Sequence, residues 1–174
     1  MDAVAPRWIE WAARAASLTA LPSGLWRIAL GVGVPVGFSG ELADLYKPGW
    51  MLTPYVIVLT LVAEGLAMLT MGLVRPWGEV VPSWIPFLGG RRIPPLAAAV
   101  PAALGSLAVT VITFIGAVSW ADPGAMGDPD APHGVAGAVM TACYAPLLAW
   151  GPLLAIVTVA YYLRRTRRPQ AVAA

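Results

Sequence analysis

One cysteine, one histidine and one lysine are all that this 174-residue chain contains of those three residue types. A lone cysteine, Cys143, allows no intrachain disulfide, so no loop is stapled. His133 lies outside every apolar stretch, so no histidine stands ready to activate Cys143, which reads as a small packing residue. Charge is scarce too: 11% of residues are charged, under half of the roughly 25% typical of soluble domains. A net charge of +2 is too small to indicate a nucleic-acid partner. Gly89-Gly90 is flanked by neither a dinucleotide fingerprint nor a P-loop pattern, and no cofactor is indicated. There is no internal repeat.

What fills the chain instead is apolar: 59% of residues are hydrophobic, gathered into four long stretches. That points to an α-helical membrane protein of one domain, with spans expected at about 22–40, 53–74, 96–118 and 135–163. Leu21-Pro22-Ser23-Gly24 is read as a break before the first span, and Pro35 as a kink within it. Gly37-Phe38-Ser39-Gly40 is not an A-x-A cleavage site and further spans follow, so a secretory signal is not expected. Ahead of the first span, residues 4–20 read as a helix lying in the headgroup layer. Arg7, Glu10, Arg14 and Ser17 recur at helical spacing, while Trp8, Trp11 and Leu18 fall on other faces. The expected architecture is all-α: a four-helix transmembrane bundle with an N-terminal interfacial amphipathic helix.

Basic residues orient this arrangement. Arg7 and Arg14 precede the first span, Arg75, Arg91 and Arg92 occupy the second loop, and Arg164, Arg165, Arg167 and Arg168 follow the last span. The first loop has Lys47 against Glu41 and Asp44, and the third has Asp122, Asp128 and Asp130 with no arginine or lysine. An even number of spans with both termini cytoplasmic puts all three basic segments on one side of the cell membrane.

Glu64 is the only acidic residue inside a long apolar stretch, ten residues before Val74 and therefore ~15 Å deep at the helical rise. A carboxylate there is costly and marks a functional-site hypothesis, with an interhelical hydrogen bond as the structural alternative. Arg27, placed roughly 9 Å deep by the same rise, either pairs with Glu64 or snorkels to the cytoplasmic headgroups. Tyr144 falls ~13–14 Å from the opposite face, near Thr110, Thr141 and Cys143 in depth. Glu64, Arg27 and Tyr144 are the candidate catalytic set, suited to proton transfer on a lipophilic substrate.

The second loop carries Arg75, Trp77, Trp84, Arg91 and Arg92, with Ile85, Phe87, Leu88 and several prolines. It reads either as a binding platform for an anionic headgroup or as an ordinary aromatic belt with positive-inside charge, and the second reading is favoured. Asp128, Asp130 and His133 sit among turn formers, so a solvated loop is expected there and no metal site.

Two stretches, Gly72-Leu-Val-Arg-Pro-Trp-Gly-Glu79 and Pro86-Phe-Leu-Gly-Gly-Arg-Arg92, resemble uncharacterised small membrane proteins of actinobacteria, a likeness that carries no activity. Heavy use of Ala, Gly, Val and Pro, with arginine in place of lysine, fits such high-GC genomes. Leu25-Trp-Arg-Ile-Ala-Leu-Gly31, Ala63-Glu-Gly65 and Gly72-Leu-Val-Arg75 are similar to the DoxX-like four-helix membrane families, which implies a four-helix fold and nothing more. The expected function is an accessory membrane protein that binds lipid or a partner. Its partners would be membrane lipids, with a lipophilic small molecule or a membrane protein as further candidates. One alternative is an intramembrane enzyme of cyclase or isomerase type acting on an isoprenoid or lipid through Glu64. The other is a small proton-coupled transporter or channel subunit.

Overall fold

A computed structural model describes residues 6–80 and 89–166, and every described element is helical. Trp84, Ile85, Phe87, Leu88, Arg167 and Arg168 lie outside the described residues. Seven α-helices follow one another: α1 (Arg7–Leu18), α2 (Leu21–Gly31), α3 (Gly40–Leu45), α4 (Leu52–Leu69), α5 (Pro95–Val118), α6 (Gly134–Tyr144) and α7 (Leu147–Thr166). A tight 3₁₀ turn, Thr70–Leu73, prolongs α4.

Three helical stretches are long and apolar enough to cross a membrane: Leu52–Leu73, Pro95–Val118 and Gly134–Thr166. They coincide with the second, third and fourth expected spans. The last is a joined pair, because Ala145 stays right-handed helical at φ −53° and ψ −40° and the chain runs through Pro146 into α7.

The first expected span differs from its reading. Helix α2 stops at Gly31, and residues 32–39 are not helical, so Pro35 lies in irregular chain instead of kinking a helix. Pro22 does not break the chain either. Thr19 and Ala20 keep right-handed helical angles, the Thr19 amide donates to the Ala15 carbonyl, and the Gly24 amide donates to the Ala20 carbonyl. Proline lacks a backbone donor and its ring crowds the carbonyl four residues back, which bends a helix without ending it. Arg7 to Gly31 is therefore one helical path kinked at Pro22, some 37 Å long at 1.5 Å per residue.

Three layers of packing show how that path runs. Ile9 and Ala13 cluster with Leu73, Leu154, Val157 and Tyr161. Ala16 and Ala20 cluster with Ala67 and Trp150. Trp26 and Leu30 cluster with Met140. Numbers rise along α1–α2 as they fall along α4 and α6–α7, so the kinked path lies antiparallel to both. Small residues hold it close. Ser17 Oγ donates to the Ala67 carbonyl at 3.0 Å, so one position expected on the polar face of α1 is instead a helix contact.

Helix α5 packs extensively only on α7. Ser106 Oγ donates to the Gly151 carbonyl at 2.8 Å, across a contact too tight for any side chain at Gly151. Both described ends of the chain meet at one pole, where Arg164 and Arg165 close over the second loop. Acidic loops occupy the opposite pole, joined by the Ser39 amide donating to the Asp130 carbonyl at 2.9 Å.

Candidate functional site

The kink changes the depth of Arg27. It stands twenty residues from Arg7 and only four from Gly31, so its Cα lies ~6 Å from the acidic-pole end of α2 and ~30 Å from the basic-pole end. Its side chain is thereby out of reach of the basic pole. Side chains on a helix lean toward its N-terminus, and Arg27 Nη2 accordingly reaches back one turn to donate to Ser23 Oγ at 3.3 Å. Ser23 is fully buried.

Glu64 approaches the same turn from α4. Gly24 has no side chain, and a Cβ there would lie 2.9 Å from Glu64 Oε1 and 3.0 Å from the Thr60 methyl group. The glycine is what lets α4 and α2 come this close. Among the described residues Arg27 and Glu64 form no ion pair within 4.0 Å, so the pairing that was one of the two readings of Arg27 is not present. Three polar atoms in this layer, Arg27 Nε, Thr60 Oγ1 and Glu64 Oε1, are buried and have no hydrogen-bond partner.

Arg27 also borders a cleft of about 510 Å³ between the helices. Arg27 contributes from α2. Ile112, Thr113, Gly116 and Ala117 come from α5, Trp120 follows that helix, and Thr141, Tyr144, Leu147 and Leu148 flank the α6–α7 joint. Tyr144 is held by edge contacts, its ring centroid 5.6 Å from that of Trp26 and 5.7 Å from that of Trp120. Pro146 stands at the α6–α7 joint, between the lining residues Tyr144 and Leu147. Of the expected catalytic set, Arg27 and Tyr144 meet in this cleft, and Glu64 does not line it. Thr110 turns to the α5–α7 contact, donating to the Ser106 carbonyl at 2.7 Å. Ser23, Gly24, Thr60 and Trp120 were not anticipated. A serine and a threonine inside apolar helices were the available signal for two of them.

At the basic pole, Arg75, Arg91 and Arg92 are exposed, and Trp77 is half-exposed while lying against Gly72. A pair of contacts folds the second loop back on itself, an isolated bridge of Val80 with Arg92 and the Ile93 amide donating to the Glu79 carbonyl at 3.0 Å. The unanticipated feature is an arginine–glutamate–arginine clamp. Arg165 Nη1 lies 3.0 Å from Glu79 Oε2, and Arg164 Nη2 lies 3.4 Å from Glu79 Oε1. The same guanidinium groups donate to the Leu73 and Ile93 carbonyls. Glu79 is the only acid in a basic loop, and that was the sequence signal for it.

In the acidic loops, Asp130 is a backbone acceptor. Its Oδ2 takes the Glu41 amide at 2.9 Å, at the first turn of α3, and its own amide donates to Asp128 Oδ1 at 2.8 Å. His133 Nε2 lies 3.0 Å from the Pro129 carbonyl. An Asx-type turn accounts for Asp128, and Asp130 and His133 are engaged with backbone groups. Among the described residues no group of three acids, histidines or cysteines is placed to hold a metal ion.

No family model matches the chain, and no curated protein or solved structure matches it either.

Proposed function

We propose that this chain is a four-pass α-helical protein of the cell membrane that holds a lipophilic ligand, by its polar end, in the cleft between α2, α5 and the α6–α7 joint. The first pass is the kinked path 7–31, whose ~37 Å exceeds the ~30 Å hydrocarbon core. Its excess length leaves Arg7, Trp8, Trp11 and Arg14 at headgroup level, which reconciles an interfacial start with a spanning helix. Basic residues at one pole orient both termini to the cytoplasm, with Arg75, Arg91, Arg92 and Trp77 against anionic lipid phosphates.

The cleft carries the reading. Its volume falls within the roughly 300–1,000 Å³ of small-molecule sites, and its walls are mainly apolar with few convergent polar groups. Helices α2 and α5 face each other across it without extensive contact, which suits entry from the bilayer. Acid–base catalysis by Glu64 on a bound molecule is disfavoured, because Glu64 is not among the lining residues.

Native mass spectrometry of protein released from mild detergent tests this. Wild type and Glu64→Gln should retain a lipophilic molecule that Arg27→Met loses. Equal retention by all three forms would refute the assignment of the cleft.

A further inference from the structure

The cleft leaves one buried group without a task. Glu64 Oε1 is buried, unpartnered and set against Gly24, one residue along α2 from the Ser23 hydroxyl that holds Arg27. Both charges therefore touch adjacent residues of a single helical turn, Glu64 from the α4 side and Arg27 from the cleft side. In the low dielectric of the bundle the nearest charge dominates. Arg27 is the one cation on the helical turn that Glu64 Oε1 approaches.

The other titratable groups near this layer are few. Helix α2 offers only Arg27, α6 offers Tyr144 and Cys143, Tyr55 stands at the start of α4, and Tyr46 packs against the cluster of Trp26 and Leu30. Helix α1 carries Arg7, Glu10 and Arg14, the last two 3.9 Å from one another and about three to four turns toward the basic pole. Along α7, Tyr161, Tyr162, Arg164 and Arg165 stand near that pole, as does Arg75 beyond the turn that ends α4. On α5 no residue titrates. One cation and one carboxylate, of zero net charge when both are ionised, thus stand at one turn of α2.

A ligand with a single negative charge upsets that balance. If its anion lies on Arg27, whose planar fork suits a carboxylate or sulfonate, two anions share one cation away from water. Burying the surplus charge is the costly outcome. Neutrality returns when Glu64 takes up one proton.

Resting on the cleft as a ligand site, we propose that it binds a monoanionic amphiphile together with one proton, the amphiphile on Arg27 and the proton on Glu64. The ligand class is a single-chain carboxylate or its sulfonate equivalent, since one guanidinium matches one negative charge. Binding then tightens as pH falls, by up to about tenfold per pH unit over the range in which Glu64 is ionised in the free protein and protonated in the complex. The arrangement is that of a proton-linked anion carrier or sensor.

Dodecanesulfonate is a suitable probe because its own charge is fixed across neutral pH, so any proton taken up belongs to the protein. Calorimetric titration is made on full-length protein in phosphatidylcholine nanodiscs, in two buffers of different ionisation enthalpy. The wild type should take up protons on binding, and Glu64→Gln should bind the probe with none and with a flat pH profile. An infrared difference spectrum of the wild type should gain a protonated-carboxyl band when the probe is added, a readout independent of how the variant folds. Equal proton uptake by wild type and Glu64→Gln, or no new carboxyl band, would overturn the proton linkage and leave the cleft standing. Absence of binding by the wild type, or affinity unchanged in Arg27→Met, would overturn the cleft itself.

Discussion

The closest test of the helix packing is Gly151→Ala. A Cβ built at Gly151 would sit 2.8 Å from the Thr110 amide nitrogen and 3.0 Å from the Ser106 carbonyl, and closer still to Thr110 Oγ1. Restoring ordinary contact at about 3.5 Å pushes α5 outward by about 0.5–0.7 Å at this point. That shift stretches the 2.8 Å hydrogen bond from Ser106 to Gly151 beyond 3.3 Å. An interhelical bond of this kind is worth about 0.6 kcal/mol on average. A gap of that width also forfeits about a quarter or more of each dispersion contact along the interface. Helix α5 has extensive packing only with α7, so no second interface resists the displacement. The destabilisation is about 2 kcal/mol, partly offset by alanine's better helix propensity, up to about 1 kcal/mol. Gly105→Ala is the control, since a Cβ there meets nothing within 4 Å and keeps only the propensity gain. Reversible unfolding in mixed micelles, followed by tryptophan fluorescence, should separate the two variants by about 2 kcal/mol. If both shift stability equally, the α5–α7 contact at Gly151 is wrong.

Two further outcomes are expected. Glu79→Ala leaves Arg164 and Arg165, each 13% exposed, facing each other with only the Leu73 and Ile93 carbonyls as acceptors. The cost is about 2–3 kcal/mol, and a double-mutant cycle with Arg165→Met in the same unfolding assay should show coupling above ~1 kcal/mol; coupling near zero contradicts the clamp. Asp130→Ala removes the acceptor for the Glu41 amide and should weaken the start of α3 by about 1 kcal/mol. Hydrogen exchange at that amide reads the loss, and a divalent cation that stabilises wild type but not Asp130→Ala would reopen the metal reading of Asp128, Asp130 and His133.

How far the sequence reaches is decided by period and by reach. Residues 53–74, 96–118 and 135–163 were legible as spans because a run of apolar residues long enough for a bilayer leaves few other options. Residues 7–31 were not. Arg7, Glu10 and Arg14 dilute their hydropathy, and Pro22-Ser23-Gly24 imitates a boundary. What makes them one path is Ala13, Ala16 and Ala20, small residues whose worth lies in close approach to α4 and α7. Polarity at mid-depth was legible at Glu64, Arg27 and Tyr144, one residue at a time. Their grouping was not, because it depends on the direction each side chain leaves its helix, and that separates Glu64 from the cleft that Arg27 and Tyr144 share.

The close approach at Gly24 ties these observations together. A charged side chain at the centre of a spanning helix costs at least about 2.5–3.5 kcal/mol, and Glu64 lies in the candidate span Leu52–Leu73, with Arg27 three residues along α2 from the glycine that Glu64 meets. Direct pairing would lower that cost and also fix both groups, leaving neither with capacity for a ligand. The arrangement found sets them against adjacent residues of one turn of α2, beyond ion-pair distance. Arg27 is steadied by a neutral hydroxyl, and Glu64 is set against a glycine that supplies no partner. Each thus feels the other's charge without spending its hydrogen bonds on it. Such a pair is less stabilising than a salt bridge, and its looseness is what lets a change of charge in the cleft be felt at Glu64.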